Sequence, residues 1–279
     1  MPIRVCIVVG ARPQFIKAAE LIHGGGRDEL DYTLVHTGQH YDPRLSDIFF
    51  DELDIPAPQV NLDAGSGSHG RQTGEIMSRF ERYLLDAGLP DWLVVFGDTN
   101  STLAAAVTAA KLGVPVAHVE AGLRSFDRTM PEELNRVVTD RISDLLFCPS
   151  DLAVANLANE GIVGGVHNTG DIMFDSVVRH NPAITERARQ ISSRMGPDPW
   201  VLATIHRAAN TDRTDRLDAV LSCLEAAEMP VVWPVHPRAR TRLEANGAKV
   251  PDNVHLIDPM GYLTMLAHIG AASCILTDS

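Results

Sequence analysis

Three acidic side chains occupy positions from which an open α/β sheet could use them. Asp98 lies in Phe96-Gly97-Asp98-Thr99-Asn100-Ser101, Glu120 in His118-Val119-Glu120-Ala121-Gly122-Leu123-Arg124, and Glu132 in Met130-Pro131-Glu132-Glu133-Leu134-Asn135-Arg136. The first two each follow an apolar strand-like run, at the carboxyl edge where open sheets bind ligands. Glu132 stands beside Pro131 at a helix start, with Asn135 and Arg136 three and four residues on along one face. Three carboxylates could therefore converge on one cleft. Each also has a structural alternative. Asp98 could cap a helix beginning at Thr99, and Glu132 could complement a helix dipole. Glu120 follows a strand, precedes Ala-Gly and has no capping duty, which favours an exposed catalytic or ribose-binding role.

Cations stand at two further junctions. Residues 8–17 read Val-Val-Gly-Ala-Arg-Pro-Gln-Phe-Ile-Lys, and residues 202–207 read Leu-Ala-Thr-Ile-His-Arg. In both, an apolar run breaks into charge where a helix should begin. Orphan backbone N–H groups and the positive end of the helix dipole favour an anion there. Two such junctions predict a nucleotide held between two domains. Arg12 and Lys17 do not share one helix face, so Arg12 is expected to act from the loop, while Lys17 is equally readable as a solvated helix cation. His206 and Arg207 would donate to an anion, with a core histidine as the alternative for His206. Pro234-Val235-His236-Pro237-Arg238 repeats the arrangement, with a structural turn favoured for His236. The first junction, Gly10-Ala11-Arg12-Pro13, lacks the later glycines of a dinucleotide fingerprint, and no Walker loop occurs. Bound nicotinamide and P-loop phosphoryl transfer are both demoted.

Strand-like runs at residues 3–9, 33–36, 93–96, 115–119 and 145–148 alternate with helix-like segments, the pattern of a parallel sheet covered on both faces. A helix over residues 13–22 would turn Phe15, Ile16, Ala19, Leu21 and Ile22 to that sheet. A second series occupies residues 201–204, 231–235, 254–257 and 274–277. The reading is α/β, with two Rossmann-like doubly wound domains over residues 1–173 and 174–279. Residues 64–71 read as a mobile glycine- and serine-rich loop. The 279 residues, 45% of them hydrophobic, suffice for two modest cores. A net charge of -12 argues against nucleic acid, so any anion needs a local cation cluster. No membrane span is read, and the amino terminus reads as a first strand rather than a signal peptide. Cys6, Cys148, Cys223 and Cys274 have no metal-ligand spacing and read as buried thiols in a reducing cytoplasm.

At these motifs, together with Thr37-Gly38-Gln39-His40-Tyr41-Asp42 and residues 204–212, the chain resembles the non-hydrolysing UDP-N-acetylglucosamine 2-epimerases, whose fold is similar to the GT-B glycosyltransferases. Seven pieces in order make the resemblance specific. It implies inversion at C2 of UDP-GlcNAc to UDP-ManNAc, without redox cofactor or metal, for cell-surface polysaccharide. UDP leaves in the anti sense, giving bound 2-acetamidoglucal, and re-adds after a proton reaches C2 from the opposite face. By motif position Asp98, Glu120, Glu132 and His206 are the implied catalytic residues, and Arg12, Lys17, Arg207 and Ser279 the substrate-binding ones. Gln39, His40 and Arg71 match positions that in some relatives hold an activating UDP-GlcNAc, although Asp42 replaces a polar amide. A homodimer is expected.

The pattern also departs from the family. Its members continue beyond Thr277-Asp278-Ser279, so the second domain is expected to be incomplete. Ala209 stands where many relatives have glutamate, and Met265 where some place an aromatic ring against uracil. A full epimerase observed in part is the favoured account. The alternatives are a silent remnant binding a nucleotide sugar or partner, and a hydrolysing epimerase or GT-B glycosyltransferase.

Overall fold

Among the described residues the apolar runs fold into strands that pair in parallel. The computed structural model describes residues 2–24, 30–39 and 52–278, apart from the side chains of Ala208, Ala209 and Arg238. Two units are present, Met1–Val178 and Arg179–Ser279.

The first unit holds β1 (Ile3–Val9), β2 (Leu30–His36), β3 (Val60–Asn61), β4 (Trp92–Phe96), β5 (Val116–Val119), β6 (Leu145–Cys148) and β7 (Val166–Asn168). Their order across the sheet is β3-β2-β1-β4-β5-β6-β7. The helices are α1 (Arg12–Gly24), α2 (His69–Ala87), α3 (Asn100–Lys111), α4 (Pro131–Ile142) and α5 (Asp151–Asn159), followed by α6 (Ile172–Met195), within which the unit boundary falls. Val8, Val35, Leu93 and Val95 of the strands meet Phe80 and Leu84 of α2 and Ala105 and Ala109 of α3. The small residues of α3 let its backbone lie close to the sheet. Each large side chain taken out of water here, such as fully buried Phe80, contributes about 1.5–3 kcal/mol.

The chain winds outward from β1 to β3 and returns to place β4 on the other side of β1. This reversal opens a crevice beyond the carboxyl ends of β1 and β4, where an open sheet binds its ligand. The second unit repeats the device with β8 (Val201–Thr204), β9 (Val231–Pro234), β10 (Val254–Ile257) and β11 (Cys274–Thr277) in the order β10-β9-β8-β11. Its reversal falls between β8 and β11. The remaining helices are α7 (Ala208–Thr211), α8 (Thr214–Glu225), α9 (Pro237–Ala245) and α10 (Tyr262–Ala271). Trp233, Leu217, Leu224 and Leu243 form its core. The two parallel, doubly wound sheets match the expected fold class.

Several local expectations fail. His69, Gly70 and Arg71, read as loop, form the first turn of α2. Cys6 and Cys148 are buried, but Cys223 and Cys274 are exposed. Cys223 lies off the Leu217, Leu221, Leu224 stripe that α8 buries, and Cys274 lies on the edge strand β11. Met265, at the position where some relatives place an aromatic ring, is half-buried against Trp200, Leu202 and Val232. No described helix is long and apolar enough to cross a membrane.

Candidate active site

Gly10 follows β1 where α3 and the residue after β2 come close, and a Cβ there would collide with the hydroxyls of Ser101 and Thr37. Its N–H and that of Ala11 donate to Gln14 Oε1 at 2.8 and 3.0 Å. Gln14 Nε2 donates to Phe96 O at 2.7 Å and to Thr102 Oγ1 at 2.9 Å. One buried amide thus joins the β1–α1 junction to the β4–α3 junction. It also occupies two of the backbone donors expected to meet an anion, leaving that task more to side chains. Arg12 is the exposed first residue of α1 rather than a loop residue.

Lys17 is not a solvated cation. It is 6% exposed, and its ammonium pairs with Glu120. Burial pushes its pKa below the ordinary lysine value, against the opposing pull of Asp98 and Asp171. Glu20 and Gln14 on the same helix are also buried. The sequence-derived sheet face, with Leu21 only half-buried, omits these polar members.

Gly97 follows β4 at φ 60°, in the left-handed region that glycine tolerates. A Cβ there would lie 3.1 Å from Glu120 Oε2. Asp98 does not cap α3. Thr99 does, accepting from Thr102 N at 3.2 Å, which leaves the Asp98 carboxylate to pair with Arg136 Nη2 at 2.6 Å. Asn135 Nδ2 donates to the Asp98 carbonyl at 2.8 Å. Asn135 and Arg136 therefore do share one face of α4, directed at the Asp98 turn.

Glu120 adopts φ 71°, a conformation that strains a non-glycine residue. The turn is held by the N–H groups of Glu120 and Ala121, which both donate to Phe147 O. A cavity of about 240 Å³ opens beside it, lined by Leu21, Val119, Glu120, Phe147, Thr169 and Asp171 among others. A strained carboxylate facing a largely apolar cavity is a natural site for proton transfer.

The neighbouring glutamates of α4 divide two duties. Glu133 is buried, accepting from Ser125 N at 2.9 Å, Phe126 N at 3.1 Å and Arg136 Nη1 at 2.8 Å. Burial would raise its pKa, but the Ser125, Arg136 and Phe126 hydrogen bonds outweigh that and hold it below the usual range. Glu132 is half-buried and has no side-chain hydrogen bond among the described residues.

Behind these turns lies a buried polar chain. His118 contacts Asp140 Oδ1 through Nδ1 and Gly97 O through Nε2, both at 2.7 Å. Asp140 Oδ2 accepts from Gly122 N at 3.1 Å and Arg124 Nη1 at 2.7 Å, and Arg124 pairs in turn with Glu160.

In the second unit, His206 and Arg207 follow β8. The Asp278 carboxylate, at the end of β11, accepts from His206 N at 3.1 Å, Arg207 N at 3.0 Å and Asn210 Nδ2 at 3.0 Å. Burial would raise Asp278, but the bonds from Asn210, His206 and Arg207 hold it below the ordinary carboxylate range. The His206 side chain is 59% exposed, so it is no core histidine. His236 and Arg207 are exposed as well. Gln39 is buried, its Oε1 accepting from Ser101 N at 3.2 Å and Ser101 Oγ at 2.6 Å, whereas Arg71 is exposed on α2. His40 and Ser279 lie outside the described residues.

Sequence reasoning missed Gln14, His118, Glu133, Asp140 and Asp278. Asp278 carried a usable signal, being, like Asp98, a carboxylate just beyond a strand's carboxyl end. Gln14 and Asp140 carried none, since their roles depend on partners far away in sequence.

A family model described as UDP-N-acetylglucosamine 2-epimerase matches residues 25–279. The chain is 46% identical over 282 residues to a UDP-N-acetylglucosamine 2-epimerase homolog of Methanococcus maripaludis, covering 99% of this chain and 78% of that one. It is 44% identical, with the same coverage, to the UDP-2,3-diacetamido-2,3-dideoxy-D-glucuronate 2-epimerase of Pseudomonas aeruginosa. The crystal structure of the Methanocaldococcus jannaschii UDP-GlcNAc 2-epimerase in complex with UDP-GlcNAc and UDP matches with a TM-score of 0.88 at 39% identity, over 99% of this chain and 79% of that one.

Proposed function

Because this chain belongs to the UDP-N-acetylglucosamine 2-epimerase family, we propose that it interconverts UDP-GlcNAc and UDP-ManNAc by elimination and re-addition of UDP. A carboxylate removes the C2 proton, and the C1–O bond breaks with its electron pair passing to UDP. The 2-acetamidoglucal that remains accepts a proton at C2 from the other face, and the UDP oxygen re-forms the bond at C1. The sequence is redox-neutral and needs no hydride acceptor. A stereochemical inversion of this kind requires proton-handling groups for both faces.

The observation that carries the reading is Glu120, a strained carboxylate beside an apolar cavity and paired with a buried ammonium. We assign proton transfer to Glu120, Asp98 and Glu132, with His206 acting near the diphosphate. Arg12, Lys17 and Arg207 supply positive charge to the departing UDP, and charge stabilisation of a leaving group is commonly a large part of catalysis. The resemblance supports a homodimer. Its free thiols, two of them exposed, fit a reducing cytoplasm.

The Pseudomonas relative supports a second reading, in which the same C2 inversion acts on a 3-acetamido uronic acid nucleotide. Incubation in deuterated water with each sugar nucleotide in turn tests both. Deuterium at C2 with the 2-epimer formed from UDP-GlcNAc is the expected result. Turnover of the uronic acid alone would transfer the assignment to the second reading, and free ManNAc would indicate a hydrolysing enzyme. No exchange with either would overturn both readings.

A further inference from the structure

His118 is fully buried, yet it takes no part in the proton transfers assigned above. Its Nε2 lies 2.7 Å from the Gly97 carbonyl, and a carbonyl only accepts. Its Nδ1 lies 2.7 Å from Asp140 Oδ1. Asp140 takes two further donors, Gly122 N and Arg124 Nη1, on its other oxygen. Burial alone would raise the Asp140 pKa, but His118 and Arg124 hold it below the ordinary range, so it too accepts. Both ring nitrogens therefore face acceptors, and two hydrogen bonds require an N–H on each.

The charged groups beyond the ring are net negative. Asp140 and Glu160 are anionic, and Arg124 lies between them as a cation. Burial pushes the adjacent Cys148 thiol up to about 11, which keeps it neutral. The ring sets its two N–H groups against the acceptors of this cluster, and a buried anion with matched donors avoids most of the cost of an unpaired one.

The two partners of this ring, and Gly122 bonded to Asp140, belong to the segments that carry the three carboxylates. Gly97 precedes Asp98, Gly122 closes the Glu120 turn, and Asp140 lies further along α4 from Glu132. We propose that His118 is a positioning residue whose two N–H groups clamp the Asp98 turn to α4 and, through Asp140, to the strained Glu120 turn. This rests on the epimerase reading for its catalytic consequence, but the clamp itself is a matter of geometry. Misplacing catalytic groups by about 1 Å can cost about 10² in rate.

Two isosteric replacements separate the two bonds. In His118→Asn the amide nitrogen falls near Nδ1 and keeps the Asp140 bond. In His118→Gln it falls near Nε2 and keeps the Gly97 bond. Each folded variant is expected to lose at least about tenfold in kcat, with KM for the sugar nucleotide changed by less than about threefold. C2 deuterium exchange should fall in step. A folded His118→Asn with wild-type kcat would overturn the proposal, because the Gly97 tie would then be dispensable. Nitrogen-15 NMR of the wild-type ring is the second measurement, and it does not depend on turnover. An N–H on each ring nitrogen is expected. A single N–H overturns the clamp even where both variants misfold. Wild-type protein that turns over neither sugar nucleotide but shows both N–H signals would sink the activity reading and leave the clamp standing.

Discussion

Glu120 holds its carboxylate on a turn strained to φ 71° and against the buried ammonium of Lys17. Sequence spacing places residues along one chain, and Lys17 reaches Glu120 only because β1 and β5 flank the same central strand, β4. Asp98 shows the same limit, since its freedom from capping duty depends on Thr99 taking the cap. Removing the acid/base group while keeping its size is the direct test. Glu120→Gln is expected to lose about 10²–10⁴ in kcat with an unchanged far-UV spectrum, as loss of general acid–base assistance does. Gly97→Ala probes the same contact from the other side. A Cβ at φ 60° costs about 1–2 kcal/mol of backbone strain and crowds the Lys17–Glu120 pair. Thermal denaturation should show the lower midpoint, and the C2 exchange assay the lower rate.

The long strands and α1 were readable from apolar runs, but β3 and β7 were too short to stand out, at two and three residues. Both gain their pairing from an adjacent strand. The start of α2 was lost to its glycine and serine content. What joins the elements is largely polar and buried, and periodicity is blind to it. Gln14 is the clearest instance, bridging the loops after β1 and β4. In Gln14→Leu the N–H groups of Gly10 and Ala11 lose their acceptor, and each buried orphan costs about 1–3 kcal/mol. A fall in denaturant midpoint with little change in slope is the expected outcome. Glu133 joins α4 to the residue 125–126 turn and gives a pH signature. Its folded pKa is depressed, so it adds stability above the unfolded glutamate value of about 4.3, and that contribution is lost as pH falls through the lower folded value. Glu133→Gln should therefore be less stable near neutrality and show a flatter dependence below about pH 4.3. Denaturation titrations across the acid range would refute this if the two curves ran parallel.

At the scale of the molecule, the chain contains two sheets whose cores draw on separate residues. Phe80, Leu93 and Val95 belong to one, and Trp233, Leu202 and Leu217 to the other. Both sheets reverse strand order, and the candidate residues Asp98 and His206 follow β4 and β8, strands next to those reversals. A common winding rule thus accounts for why apolar runs far apart in the sequence each end in chemistry. The two cores differ in size among the described residues: the second is built on a four-stranded sheet and the first on a seven-stranded one, and a smaller core buries less apolar surface. The second unit should therefore unfold first. Tryptophan reports this selectively, because Trp200 and Trp233 are buried in the second unit while Trp92 is the one such residue of the first. Fluorescence is expected to change at a lower urea concentration than far-UV circular dichroism, which averages over both sheets, and non-coincident probes are the mark of unfolding that is not two-state. Coincident curves would mean that the two cores melt as one cooperative body.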